Sequence, residues 1–222
     1  MPNWCDNELS VRGPKEDVEA FVEKAVGKDG DDDSSAISIE ALFPVPKALL
    51  DVEAGSKEAF YEILYGDSIP SHIIDKMREE GFESPDKHTA LEWQAEKWEM
   101  DGMKAREVAH AYLVNMETYG HMNWYTWCIN NWGTKWDTRS GEQVSFDEVE
   151  VRGKQLWQAD YTFLSAWSPP TNAFLRISMD YPSLEFTLKY WECGAGFKGI
   201  FKCKNGRVYK DIHSAYSGNR GG

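Results

Sequence analysis

Long apolar runs are missing from the 222-residue chain. No uncharged stretch approaches the roughly 18 residues that a membrane span requires. The N-terminal Met1-Pro2-Asn3-Trp4-Cys5-Asp6 is neither basic nor followed by an apolar segment, which argues against a secretory signal. Cysteine is scarce. Cys5, Cys128, Cys193 and Cys203 stand far apart with no C-x-x-C, so zinc and iron–sulfur clusters lack their usual paired spacings. The expected reading is reduced thiols in a cytoplasm, with Cys5, Cys128 and Cys203 serving as small buried hydrophobes. Positive charge is also in deficit. Against 37 Asp+Glu there are 24 Lys+Arg, a formal charge of −13, which opposes general affinity for nucleic-acid phosphates.

Catalytic signatures are missing as well. None of His72, His88, His110, His121 and His213 forms H-E-x-x-H or a short metal pair. His110 and His121 lie eleven residues apart, and a metal or acid/base role for them is only an alternative. No G-x-S-x-G elbow occurs. Glu79-Glu80 and Asp147-Glu148 are sequence neighbours that read as solvated pairs, although a hydrolase assembled from scattered acids stays open. Asp29 to Ser35 resembles a calcium loop only superficially, since the regular D-x-D-x-D-G spacing is lacking, and it reads as a solvated loop. Gly194-Ala195-Gly196-Phe197-Lys198-Gly199 matches G-x-G-x-x-G, but a strand follows where a dinucleotide site needs a helix. It reads as a glycine hairpin, with a minor anion site at Lys198 and Lys202 as the alternative. No cofactor or metal is expected.

What the chain does have is aromatic and patterned. Aromatics make up 14% of it, including ten Trp, enough for a sizeable core. Glu8–Arg12 alternates like a half-buried strand. Val18, Phe21, Val22 and Ala25 mark one face of a helix over 14–26. Ile37, Ile39, Leu42 and Phe43 predict a second strand, ended by Pro44. Residues 56–120 read as mostly helical. Within them Pro70 starts one helix to Glu80, and Thr89 with Glu92 suggests a capping box. Ala105, Val108, Ala109, Tyr112, Leu113 and Met116 define the clearest amphipathic helix, closed by Gly120. Asn123 can cap a short helix that puts Trp124, Trp127 and Cys128 on one face. Strands are expected at 144–146, 149–151 and 161–167. A helix then starts at Pro169-Pro170 and runs through Ser178. Strands 184–192, 197–204 and 207–210 follow, the last two flanking the hairpin signal Asn205-Gly206.

This order predicts an α+β fold over 1–222: a ferredoxin-like antiparallel sheet of two β-α-β halves plus a C-terminal hairpin. Residues 50–120 form an acidic helical insertion between the halves, and 214–222 a flexible tail. The charge follows that division. Residues 1–115 carry 26 acids and 12 bases, a net of −14, whereas Lys189 to the end carries seven bases and two acids.

Several blocks resemble one family. Met1-Pro2-Asn3-Trp4-Cys5-x-Asn7-x-Leu9-x-Val11-x-Gly13 is similar to the opening of the YubB-like proteins of phages and plasmids. Trp124-Tyr125-x-Trp127-Cys128 with Asn131-Trp132-Gly133-Thr134-Lys135-Trp136 resembles their central motif. Ser165-Ala166-Trp167-Ser168-Pro169-Pro170 and Tyr190-Trp191-Glu192 resemble later ones. The resemblance implies a ferredoxin-like domain without a cluster, a mobile genetic element and a bacterial host cytoplasm. It implies no activity and no catalytic residues.

The leading expectation is therefore a non-catalytic accessory protein. It would bind a host protein or complex through its acidic surface, with countering of host defence as one outcome. The alternative is a binder of a nucleotide or single-stranded nucleic acid. Its candidate residues are Trp124, Trp127, Asn131, Trp132, Lys135, Trp136, Lys198 and Lys202, because bases stack on aromatic faces while lysines meet phosphate. The competing reading of the Trp cluster is a core plug. A metal-dependent or hydrolytic enzyme comes third. No membrane partner is expected.

Overall fold

A computed structural model describes residues 3–27 and 35–217. The Asp29–Ser34 part of the expected loop and the last five residues of the expected tail lie outside the described residues. Contacts divide the chain into two units, Met1–Pro44 with Cys128–Gly222, and Val45–Trp127.

The first unit is built on one six-stranded antiparallel sheet. Its strands are β1 (Trp4–Gly13), β2 (Arg139–Val151), β3 (Lys154–Ala166), β4 (Glu185–Glu192), β5 (Phe197–Lys204) and β6 (Arg207–Ala215), in the order β2-β3-β1-β4-β5-β6. The first four strands with helices α1 (Lys15–Ala25) and α9 (Thr171–Asp180) follow the ferredoxin-like plan, and β5-β6 extend it by a hairpin. Strict alternation in β1 explains why one face is covered. Cys5, Asn7, Leu9, Val11 and Gly13 are buried, while Trp4, Asp6, Glu8, Ser10 and Arg12 look the other way. On the covered face Phe21 of α1 meets Tyr161 and Phe186 edge-on at ring separations of 6.2 and 5.6 Å. Phe174 of α9 lies against Phe163 and Phe186. Truncating a fully buried Phe such as Phe21 costs about 3–5 kcal/mol.

The second unit is helical. It holds α3 (Lys47–Leu50), α4 (Glu58–Tyr65), α5 (Ser71–Glu79), α6 (Lys87–Lys97) and α7 (Gly102–Tyr119). Phe60, Ile63, Ile73, Met77, Leu91 and Trp93 form its core with small Ala105 and Ala109 of α7. It carries 16 acids and eight bases, a net of −8. Helix α8 (Trp124–Trp132) contains the unit boundary.

Several local expectations change. Ile37–Phe43 is no strand: it holds the short helix α2 (Ile39–Leu42). Ser38 caps α2 by accepting from Ala41 N–H, and the Asp137 carboxylate accepts from Ile39 N–H at 2.6 Å. The second strand of the fold is instead β2, so the helical segment interrupts the first β-α-β half and does not lie between halves. The two short strands expected at 144–146 and 149–151 are one strand, β2, bent by register shifts at Arg139/Glu142 and Gln143/Ser145. Asp86, not Thr89, caps α6, accepting from Thr89 N–H at 2.7 Å. Met116 is 36% exposed and stands off the buried face of α7. Strand β6 continues past Lys210 to Ala215.

Candidate binding face of the sheet

Helices α1 and α9 cover one face of the sheet, and the register fixes what stands on the other. One cross-strand row reads Arg139, Leu164, Asp6, Trp191, Lys198, Ser214 from β2 to β6. The next reads Glu142, Thr162, Glu8, Lys189, Ile200, Ile212, and the third Ser145, Asp160, Ser10, Thr187, Lys202, Lys210. Apart from Arg139 at the β2 edge, these rows are divided by charge. Asp6, Glu8, Glu142 and Asp160 stand on the β1-β3-β2 side, while Lys189, Lys198, Lys202 and Lys210 stand on the β4-β5-β6 side.

Two grooves occupy this face. The basic one, about 550 Å³, is lined by Lys189, Trp191, Lys198, Ile200, Ile212 and Tyr216. Its floor of two isoleucines between lysines and aromatics is amphipathic. The acidic one, about 540 Å³, is lined by Asp6, Glu8, Glu142, Thr162, Leu164 and again Trp191. Trp191 is therefore the ridge between them. Lys198 Nζ donates to the Ser217 carbonyl and hydroxyl at 2.9 and 2.7 Å, which anchors the chain after β6 beside the basic groove. Lys189 Nζ lies 3.7 Å from Glu8, an exposed pair of little energetic consequence. Asn205 and Gly206, at φ +48° and +69°, make the tight turn that brings β6 back along β5.

The acids of the face are tuned in opposite directions. Burial, followed by the nearby Glu192 charge, pushes the Asp6 carboxyl up from its ordinary value. Burial acts on Asp160 in the same sense but is outweighed by hydrogen bonds from Ser10, Gln158 and Ser145, which hold it low. Ser10 Oγ and Ser145 Oγ donate to Asp160 at 2.5 and 2.8 Å.

The sequence-predicted residues disperse. Lys198 and Lys202 stand on the open face. Trp132 is buried, and its indole N–H donates to the Phe43 carbonyl at 2.9 Å. Trp127 is buried and Trp124 half-buried, both in the second unit, where Asn123 Oδ1 accepts from Tyr125 N–H to open α8. Asn131 is half-buried at the end of α8. Trp136 is exposed, 6.3 Å from the Trp4 ring, with Lys135 Nζ over it at 4.6 Å and Arg139 over Trp4 at 5.5 Å. Arg139 and Lys198 sit four strands apart in one row, roughly 19 Å at ordinary strand spacing. Lys135 and Trp136 therefore do not share a pocket with Lys198 and Lys202.

Two of the sequence motifs turn out to hold each other. Thr134 Oγ1 donates to the Ala166 carbonyl at 2.8 Å, Ser168 Oγ to the Gly133 carbonyl at 2.5 Å, and Asn172 Nδ2 to the Asn130 carbonyl at 3.0 Å. The opening motif joins through Asn7, whose Nδ2 donates to Ser165 Oγ at 2.9 Å. Asn7 Oδ1 is buried with no hydrogen-bond partner among the described residues. The glycine-rich Gly194–Gly199 stretch is the β4–β5 turn, where the Glu192 carboxylate accepts from Gly194 N–H at 2.8 Å and from Ala195 N–H. Phe197 then resumes strand, so no helix N-terminus faces a ligand there. His110 is exposed on α7 and His121 half-buried after it. Among the described residues no three His, Cys, Asp or Glu side chains converge to hold a metal ion. No helix among them is long and apolar enough to cross a membrane. Sequence reading missed Trp191, Tyr216 and Asp6 as site residues. Only Trp191 had a signal, through its place in the Tyr190-Trp191-Glu192 block.

Comparison with known proteins matches part of the chain to a family model. Residues 131–219 match the family model described as the ferredoxin-like domain in Api92-like protein. That segment takes in β2 to β6 and α9 but not β1, which supplies Asp6 and Glu8 to the acidic groove. The α+β, ferredoxin-like class read from the sequence is the fold of the first unit. The crystal structure of a protein Api92 from Yersinia pseudotuberculosis is similar over 99% of both chains, at 12% identity and a TM-score of 0.42. Comparison with curated proteins gives no match.

Proposed function

We propose that the open face of the sheet binds single-stranded nucleic acid. The observation that carries this reading is the basic groove, where Trp191 and Tyr216 stand with Lys189 and Lys198 over an isoleucine floor. Aromatic faces stack bases, and lysines beside them meet the phosphates. An open antiparallel sheet is how other folds of this topology present bases to side chains, a likeness at the level of fold. The sequence reading placed this function on the Trp124–Trp136 segment. Trp127 and Trp132 are buried, which supports taking β4-β5-β6 as the surface in this reading. Four open-face lysines span several residues of strand, more than one phosphate needs, which favours a strand over a free nucleotide. The net charge of −13 does not oppose this, because the second unit carries −8 of it.

The test is fluorescence anisotropy with labelled oligonucleotides at low salt. Salt-sensitive binding that Trp191→Ala weakens at least tenfold, in a protein with unchanged melting behaviour, supports the reading. No binding to any oligonucleotide, single-stranded DNA or RNA, ends it.

A second reading concerns the acidic second unit. A cavity of about 730 Å³ there is lined by Glu58, Glu62, Glu79 and Glu80 together with Lys76 and Lys97. This supports docking of a basic segment of a host protein, as the charge of the sequence suggested. It is the weaker of the two, since Glu80 is engaged by Lys97 at 2.8 Å and by the Trp93 indole. The resemblance to phage and plasmid proteins supports an accessory role in a bacterial cytoplasm under either reading. Crosslinking from host lysate distinguishes them: capture lost on charge reversal within the second unit selects protein binding.

A further inference from the structure

The charge division of the open face says more than that nucleic acid can bind there. Trp191 lines both grooves, with lysines on one side and carboxylates on the other. A ligand centred on its ring therefore meets opposite charges on its two flanks. A nucleotide is such a ligand. Its phosphate is anionic, while the far edge of cytosine, adenine or guanine carries an amino group that donates hydrogen bonds. Uracil and thymine present a carbonyl oxygen in the place of cytosine's amino group.

We propose that a base stacked on Trp191 points its exocyclic amino group into the acidic groove, where Asp6 accepts from it, while its phosphates lie along β5 and β6. The strand is thereby selected for an amino-bearing base at this position, against uracil and thymine. The inference rests on the sheet face binding single-stranded nucleic acid.

Three observations support the placement. Asp6 is the direct cross-strand partner of Trp191, so their side chains leave the same face a few ångströms apart. Glu8 and Glu142 line the groove beyond Asp6, so an amino group there meets several carboxyl oxygens, whereas the O4 carbonyl that uracil or thymine places at the same position meets acceptors. On the other flank, Lys198 is in the same row as Trp191, and the pair Lys202 and Lys210 lies two rows along β5 and β6. That separation is about 13 Å at the ordinary rise of a strand. The carboxylates Asp6, Glu8, Glu142 and Asp160 repel phosphate from the β1-β3-β2 side, where Arg139, over the Trp4 ring at the β2 edge, is the one cation of these three rows. The strand therefore tracks β5 and β6 and does not cross the whole sheet. Trp4 and Trp136, at the far end of the row, stay outside its path.

The experiment measures anisotropy of the full chain with short labelled homopolymers of cytidine and of thymidine, in wild type, Asp6→Asn and Asp6→Ala. The expected result is a preference for cytidine of about tenfold, the scale of one good base-edge contact. Asp6→Ala should remove the preference, and Asp6→Asn should reduce it, with thymidine binding held or improved. Circular dichroism and melting keep the variants comparable. Equal binding of the two homopolymers by wild type overturns base selection but leaves strand binding in place. A preference that survives both Asp6 variants also overturns it. Cytidine monophosphate binding as tightly as the homopolymer overturns the path along β5 and β6. Binding of neither homopolymer fails the underlying reading itself.

Discussion

Lys202 of β5 lies directly opposite Lys210 of β6 on the open face, and no acid pairs with either among the described residues. Like charges facing across a ladder destabilise a sheet. Lys210→Glu should therefore stabilise the protein by a few tenths to about 1 kcal/mol, read as a higher Tm. The same change should weaken oligonucleotide binding and reduce its salt slope by about one. Stability and binding moving in opposite directions would mark these lysines as kept for a ligand. A variant that gains stability with binding unchanged would place the phosphates elsewhere.

Asp6 gives a pH prediction. Its folded carboxyl is pushed up by burial and by Glu192, so the folded state holds that proton more tightly than the unfolded chain does. Stability from this group is full below the ordinary aspartate range and is lost as pH rises through the folded value. At neutral pH the ionised Asp6 is thus a cost. Asp6→Asn should melt higher than wild type at pH 7, and the difference should shrink toward zero below about pH 3.5. A difference independent of pH would assign the effect to packing instead.

The thiols should react unequally. Cys5, Cys128 and Cys203 are buried, and burial pushes their thiols up to about 12, 12 and 11. A thiol is nucleophilic only as thiolate. Iodoacetamide under native conditions should label Cys193 first, with the other three labelled only on unfolding. Mass spectrometry of digested, pulse-labelled protein reads this directly.

Gly199 sits in β5 under the Tyr190 ring. A Cβ there would come within 2.3 Å of Tyr190 and 2.5 Å of the Ile212 carbonyl. Gly199→Ala should cost about 1–3 kcal/mol by overpacking. The strain should appear as faster amide exchange along β6, whose pairing depends on that carbonyl staying in place. Unchanged exchange would mean that Tyr190 gives way alone.

The parts of the fold that local chemistry dictates were legible. The alternation of β1, the apolar face of α1 and the Asn205-Gly206 turn are properties of a few consecutive residues. Ile37–Phe43 was not, because α2 depends on Asp137, about a hundred residues away, accepting from its first amides. Strand β2 was half-read, since an edge strand exposed on much of its length carries little apolar signal and its bulges break the period. The site was less legible still. Lys198 and Lys202 could be suspected from a basic stretch. That Trp191 faces Asp6 is a fact of register between strands far apart in sequence, and single-residue spacing holds no trace of it.

The position of β1 also sets a timetable. Its ladders join it to β3 and β4, both made after the second unit. At about 5–20 residues per second, roughly 8–30 s separate the synthesis of β1 from that of its β3 partner. Through that interval the central strand of the sheet waits with both edges open, while the contiguous helical unit can finish folding. The first strand of this sheet to be made is thus paired only after the helical unit has been synthesised. Moving β1 by circular permutation to follow Ala215 would remove the delay and should raise the soluble yield.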